Sequence, residues 1–400
     1  MEADNRYQKT IYACFTGYIV QAIVNNFVPL LFLTFISEYD IPLSMITMLV
    51  SINFVVQLLV DALSVPVIER IGYRASMIIG QLTVVVGFIS LTILPEVMPD
   101  PFVGILISVM LYAIGGGVLE VLVSPIVEAC PTKNKEKTMS LLHSFYCWGH
   151  VGVVVISTLF FYIFGIENWR VMAVIWAAIP LINSIVFTKV PIATLVEEGK
   201  GLTIKELFKD KIFWVLVILM ICAGASEQAV SQWSSTFAEK ALNVDKVIGD
   251  LAGPMLFAIC MGLARVFYSK YGHKIKLQKF ILWCSGLCVV SYLIISLVPI
   301  PAIGFIGCGL CGMSVGIMWP GTFSVAASTI KGGGTAMFAF LALAGDVGCA
   351  SGPGVVGFIS GMFNDDLRKG ILAAIVFPVI MIAGLILFKK FSRKQMCEGE

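Results

Sequence analysis

The sequence predicts an all-α membrane protein of twelve transmembrane helices, arranged as two pseudo-symmetric bundles of six. Three observations carry this. The chain is 58% hydrophobic and only 13% charged over 400 residues, with a mean hydropathy of +0.94, whereas soluble chains run nearer a quarter charged. Its apolar runs are each long enough for the roughly 20 residues that a spanning helix needs. And the second half repeats the first.

The spans read 10–36, 42–64, 75–95, 101–129, 138–164 and 169–189, then 211–238, 248–268, 277–298, 301–329, 334–363 and 367–390. No separate soluble domain fits in what remains. Met1–Lys9 is polar and the following apolar run is too long for a signal-peptide core, so no cleaved leader is expected. With the N-terminus inside, the short inner segments collect 22 of the 27 basic residues; Arg170, Lys240, Lys246, Arg368 and Lys369 are the exceptions. That bias places both termini in the cytoplasm of a cell inner (plasma) membrane.

Val190–Asp210 is the one long polar connection, with an amphipathic run at Leu202–Phe208 suited to a membrane surface. It divides the chain into an N-terminal bundle (1–189), a cytoplasmic linker (190–210) and a C-terminal bundle with a short cytoplasmic tail (211–400). Lys9 and Thr34-Phe35 match Lys211 and Thr236-Phe237 at an offset of 202. Arg70, Gly72 and Arg74 match Lys270, Gly272 and Lys274, and Gly117 and Pro125 match Gly312 and Pro320. Gly149-His150 matches Gly345-Asp346, and Arg170 with Pro180 matches Arg368 with Pro378. Five matches in order argue for a parallel duplication.

Several chemistries are disfavoured. The eleven cysteines are scattered through apolar runs, and the Cys308/Cys311 pair has neither a second pair nor an adjacent His. They read as small buried hydrophobes, so no metal site and no cofactor is expected. Gly332-Gly333-Gly334-Thr335 lacks the lysine of a phosphate-binding loop. Nothing suggests nucleic acid, and no nucleophile–base pair suggests an enzyme. The expected partners are the lipid bilayer and a small-molecule substrate, with the chain a monomer.

Gly115-Gly116-Gly117 leads into Glu120, a carboxylate at membrane depth, with Ser124 and Glu128 following at steps of four. An ionisable group there is costly and suggests a functional site; the glycines would let a helix or a solute approach closely. The plain alternative is that Glu120 merely holds helices together. Counting along the spans puts Asn25, Asn26, His150, Glu227, Gln228 and Asp346 near mid-membrane and Glu120 in the inner third. By the repeat, Asn25-Asn26 corresponds to Glu227-Gln228 and His150 to Asp346.

The chain resembles the major facilitator superfamily of transporters over essentially its whole length. Glu69-Arg70-Ile71-Gly72-Tyr73-Arg74, between spans 2 and 3, is similar to the superfamily's acidic-basic-x-Gly-x-basic loop, although Val65 stands where its glycine is expected. Within the superfamily, Gly115–Pro125, Ser140–Gly149 and Gly316–Thr322 resemble spans 4, 5 and 10 of fucose permease-type proton-coupled sugar symporters. Ser124 replaces that group's asparagine, and Asn25-Asn26 stands where the group carries an acid in span 1. The resemblance implies a fold in which spans 1, 4, 7 and 10 line a central cavity, and a gate loop that clamps the two halves on the cytoplasmic side.

On this basis Glu120, Asp346 and His150 are the candidates for proton coupling, the proton being the expected coupling ion. A fixed His150–Asp346 pair is the structural alternative. Asn25, Asn26, Gln57, Glu227, Gln228 and Gln232 could bind substrate hydroxyls, while Tyr146, Trp233 and Trp319 could offer ring faces to a sugar. Ordinary packing is the alternative for each ring, and for Trp148 above all. Asp61, Glu69, Arg70, Arg74 and Arg265 read as cytoplasmic gate residues. Because Arg265 counts close to the inner end, no cation is expected at mid-membrane, which disfavours an anionic substrate. The expected activity is proton-coupled import of a neutral monosaccharide or polyol by alternating access. Two rivals stay open: a proton-coupled exporter of cationic or amphipathic compounds, and a non-transporting membrane sensor or assembly protein.

Overall fold

The computed structural model describes residues 2–131, 135–192, 202, 204–271, 275–330 and 334–398. Among them there is no strand, and twelve helices are long and apolar enough to cross a membrane. Two compact units are present: Met1–Glu197 together with Lys246–Leu251, and Glu198–Asp245 together with Ala252–Glu400. Each is described by itself.

Unit 1 contains Glu2–Asn26 continued by Phe32–Tyr39 (span 1), Leu43–Ile71 (span 2), Tyr73–Val97 (span 3), Pro101–Ala129 (span 4), Lys135–Phe164 (span 5) and Trp169–Lys189 (span 6). Unit 2 contains Lys211–Ser231 with Ser234–Leu242 (span 7), Leu256–Tyr271 (the body of span 8), Leu277–Leu297 (span 9), Pro301–Val315 with Met318–Thr329 (span 10), Gly334–Met362 (span 11), and Leu367–Ala373 with Val376–Glu398 (span 12). The short helix Ile204–Lys209 falls on the predicted surface run, with Leu207 buried and Phe208 exposed.

Local signals start and stop these helices. Asp100, Asp210 and Asp366 each accept a backbone N–H two residues on, capping spans 4, 7 and 12. Asp40 and Asn243 end spans 1 and 7 in the left-handed region, at φ 53° and 57°. Short polar side chains tolerate that conformation, and the two stand 203 residues apart, one residue off the repeat offset.

Four spans are broken, span 12 among them at Ala374-Ile375. Span 1 tightens into a 3-10 turn at Val28–Leu31, where Pro29 has no N–H to donate. Span 7 is interrupted at Gln232-Trp233 and span 10 at Gly316-Ile317. The last break also has a covalent cause, because Pro320 cannot donate to the Gly316 carbonyl one turn before it. Span 8 opens with the short helix Lys246–Asp250 and passes through a π segment, Leu251–Met255, around Pro254. Broken helices expose backbone polar groups, and at membrane depth these are tolerated only where other groups satisfy them.

The repeat is visible in side-chain detail where span 6 begins in unit 1 and span 12 begins in unit 2. Arg170, at the start of span 6, bonds Glu38 and Tyr39 at the end of span 1 and Glu96 at the end of span 3. Arg368, at the start of span 12, donates to the Ala241 carbonyl at the end of span 7 and to the Val298 carbonyl just after span 9. Tyr39 and Ala241, like Glu96 and Val298, stand 202 residues apart. The same clamp is therefore built twice, once on side chains and once on helix-end carbonyls.

Candidate functional site

The glycine triplet of span 4 turns about 100° per residue, so each glycine meets a different neighbour. A Cβ on Gly115 would strike the Gly80 carbonyl of span 3. One on Gly116 would lie 2.9 Å from Gln21 Oε1 and Val24 of span 1, and one on Gly117 would lie 2.9 Å from Val60 of span 2. The expected closeness is thus to three helices rather than to a solute. It brings Glu120 among polar groups of spans 1 and 2.

Those groups form a ladder. Gln21 Nε2 donates to Glu120 Oε2 at 2.8 Å and to Gln57 Oε1 at 2.8 Å. Gln57 Nε2 donates to Asn25 Oδ1 at 2.8 Å, and Asn53 Nδ2 donates to the same oxygen at 3.2 Å. All four amides are buried. Asn26 Nδ2 donates to the Ala22 carbonyl at 2.9 Å and makes a long contact of 3.5 Å with the Tyr146 hydroxyl. Ser124 pairs with the Tyr18 hydroxyl at 3.0 Å, and His143 lies against the Tyr18 ring.

Asp61 was expected among the gate residues. The structure brings its carboxylate within 4.8 Å of that of Glu120, because Asn53, Gln57 and Asp61 follow one another at helical spacing on one face of span 2. The two acids could share a proton or hold a monovalent cation. Arg70 is exposed. Arg74 donates to the Phe187 carbonyl at 2.6 Å, closing the last turn of span 6. The side chains of Glu69 and Glu128 lie outside the described residues.

In unit 2, Glu227 is buried and pairs with Arg265 at 3.6 Å. Arg265 Nε also donates to the Gly316 carbonyl at 3.1 Å, the one that Pro320 leaves without a donor. The expectation that no cation lies near the mid-membrane acids is therefore corrected. Counting residues put Arg265 at the inner end of span 8, but it ignored the reach of its guanidinium to Glu227 on span 7. Gln228 contacts Glu227 at 3.5 Å, and Gln232 Nε2 donates to Gln228 Oε1 at 3.0 Å, giving a second amide run.

The aromatic candidates divide. Trp233 is completely buried and its indole N–H donates to the Pro353 carbonyl at 3.0 Å, so it braces the span 7 break and presents no free face. Trp319 is half-buried and lies over Gly345, where any Cβ would overlap the indole. That glycine precedes Asp346, which is buried, as is His150 in unit 1. Trp148 is 44% exposed, in keeping with an outward-facing helix position.

Three residues that matter here were not singled out from sequence. Gln21 joins Glu120 to the amides, and Asn53 completes the ladder; both sit four residues before a singled-out amide on the same helix face, and that spacing was the available signal. The third is Asp250, fully buried in unit 1, which accepts from Thr158 at 3.2 Å and pairs with Lys246 at 3.2 Å, while Lys246 donates to the Leu30 carbonyl at the span 1 break.

Twelve apolar helices, an internal duplication and acids bonded to amides within the helix bundle are features of a membrane transporter. The family comparison agrees: residues 13–353 match the model of the Major Facilitator Superfamily, and the chain belongs to that family. It is a family of transporters rather than of enzymes. A search of curated sequences returns no significant match. Among solved structures, the chain is similar to a variant of the E. coli fucose:proton symporter at 15% identity, covering 96% of this chain and 99% of that one, with a TM-score of 0.67. It is similar to a D-xylose-proton symporter at 13% identity, covering 96% and 98%, with a TM-score of 0.76. A bacterial homologue of the human lysosomal transporter Spinster, inward-facing and unoccupied, matches at 14% identity, covering 96% and 97%, with a TM-score of 0.75. At these identities the likeness establishes the fold.

Proposed function

We propose that this chain imports a neutral monosaccharide or polyol together with protons by alternating access, from an inner (plasma) membrane with both termini cytoplasmic. The observation that carries the reading is the Gln21 amide, which bonds both the Glu120 carboxylate and an amide ladder ending at Asn25 and Asn53. A coupling acid joined to groups of the kind that bind hydroxyls is what co-transport of a proton and a sugar requires. Charge supports a neutral solute, since Glu227 is matched by Arg265 and a cationic solute would have to compete for that acid. Two of the solved structures of similar fold are described as proton symporters of fucose and of D-xylose, which makes pentoses and deoxyhexoses the first solutes to try.

The Asp61–Glu120 pair favours a second reading, a proton-coupled exporter of cationic compounds, because two adjacent carboxylates suit a cation. One assay separates the two. The purified chain is placed in liposomes loaded with a pH-sensitive dye and challenged in turn with D-xylose, L-fucose, other neutral sugars, polyols and cationic dyes, with and without sodium. A solute-driven pH change with one neutral sugar or polyol supports the first reading. Gradient-dependent movement of cationic dyes alone supports the second and sinks the first.

A further inference from the structure

The ladder in unit 1 has a direction. Gln21 gives both of its described bonds through Nε2, one to Glu120 Oε2 and one to Gln57 Oε1. Gln57 passes the same sense on through its own Nε2 to Asn25 Oδ1. At the start of this run Gln21 Oε1 is buried with no hydrogen-bond partner, and it rests over Gly116, where a Cβ would crowd it at 2.9 Å. Asn53 Oδ1, at the far end, is likewise buried without a partner. A buried acceptor left unpaired is unfavourable, and the ladder carries one at each end in the form seen here.

An ionised carboxylate only accepts, and this polarity suits one. A protonated Glu120 becomes a donor, and Gln21 can accept only through Oε1. The oxygen and amide nitrogen of a glutamine occupy nearly the same volume, so the amide can turn over within the same space. Once it has, Gln21 Oε1 faces Gln57 Oε1, and that clash is relieved only if Gln57 turns as well. Gln57 Oε1 then faces Asn25 Oδ1, so Asn25 turns in its place to donate, and Asn53, which donated to that oxygen, turns as well so that its Oδ1 accepts.

The geometry points to Gln21 as a positioning residue that converts the protonation of Glu120 into a reversal of the whole amide ladder. One proton taken from water forms one O–H bond on Glu120, no other covalent bond changes, and the amide of Asn25 exchanges its acceptor for its donor in the contact with Gln57. Proton binding would thereby alter which hydroxyl pattern span 1 recognises. Around Glu120, the titratable groups of this unit are Asp61 on span 2, within 4.8 Å, Tyr18 on span 1, bonded to Ser124, and His143 on span 5, against Tyr18. The inference rests on the proton-coupled reading of Glu120.

The test is infrared difference spectroscopy of the purified full chain across a pH step, with no solute present, using protein carrying carbon-13 in its glutamine side-chain carbonyls. A carboxylic C=O band that vanishes in Glu120→Gln identifies the proton on Glu120. The proposal expects label-sensitive glutamine bands to appear in the same step, and the carboxylic band to move to higher frequency in Gln21→Met, which cannot accept from it. A Glu120 band without any glutamine bands in the wild-type chain overturns the ladder but leaves the proton reading standing. Absence of the Glu120 band overturns the proton reading itself. The glutamine bands are read in wild-type protein, so the test survives poor folding of either variant.

Discussion

Removing Arg265 should expose how strongly unit 2 depends on one buried pair. Its guanidinium lies 3.6 Å from Glu227, with side-chain exposures of 16% and 10%. At an effective dielectric constant of about 20, opposite charges at that separation attract by about 4–5 kcal/mol. Desolvation consumes part of this, leaving an expected coupling of about 2–4 kcal/mol. Arg265→Met alone should destabilise by about 3–5 kcal/mol, since Glu227 is stranded. It also removes the donor to the Gly316 carbonyl at the span 10 break, worth about 1 kcal/mol more. Pairing it with Glu227→Gln should recover most of that loss, leaving about 1–2 kcal/mol attributable to the carbonyl. Arg265→Lys should fall between, because an ammonium cannot fork to both partners. The assay is a double-mutant cycle on reversible unfolding in detergent. Additive single effects, within about 0.5 kcal/mol, would refute the argument that the charges stabilise each other.

Four further outcomes follow from the packing and from the two clamps. Gly116→Ala should destabilise by about 1–2 kcal/mol, because the new methyl meets Gln21 and Val24 at 2.9 Å. Gly152→Ala, with nothing within 4 Å, should instead stabilise by up to about 1 kcal/mol in the same detergent unfolding assay. Arg170→Leu should cost about 1–2 kcal/mol and shrink in effect as salt rises, since Glu96 is 57% exposed and the network is partly solvated. Arg368→Leu should cost about 1–3 kcal/mol with little salt dependence, because its partners are the carbonyls of Val298 and Ala241.

Much of this architecture is legible in the sequence because the bilayer imposes a severe rule. Backbone groups must pair within a helix, so length and apolarity alone locate the spans. The duplication was readable too, down to Arg170 and Arg368, since a parallel repeat conserves register. The site was legible as stripes but not as contacts. Glu120 stood out because a carboxylate is conspicuous among apolar residues. Gln21 did not, because a lone glutamine carries no charge and its repeat position, 202 residues on, is Ala223. Arg265's partner was not legible for a physical reason: residue counting follows the backbone, whereas a long guanidinium side chain on span 8 reaches Glu227 on span 7. Trp233 shows the opposite failure. An indole in a polar run looks like a ligand platform, and only the geometry shows its N–H committed to Pro353.

The measurement that bears most directly on the account is solute movement by Glu120→Gln in liposomes, compared in two modes with whichever neutral solute the screen identifies. Exchange of labelled for unlabelled solute needs no net proton movement, while accumulation against a gradient does. The account predicts that Glu120→Gln retains exchange and loses proton-driven accumulation, because the glutamine keeps a polar partner for Gln21 but cannot take up a proton. Accumulation at the wild-type level in this variant would contradict the assignment of Glu120 as the coupling acid.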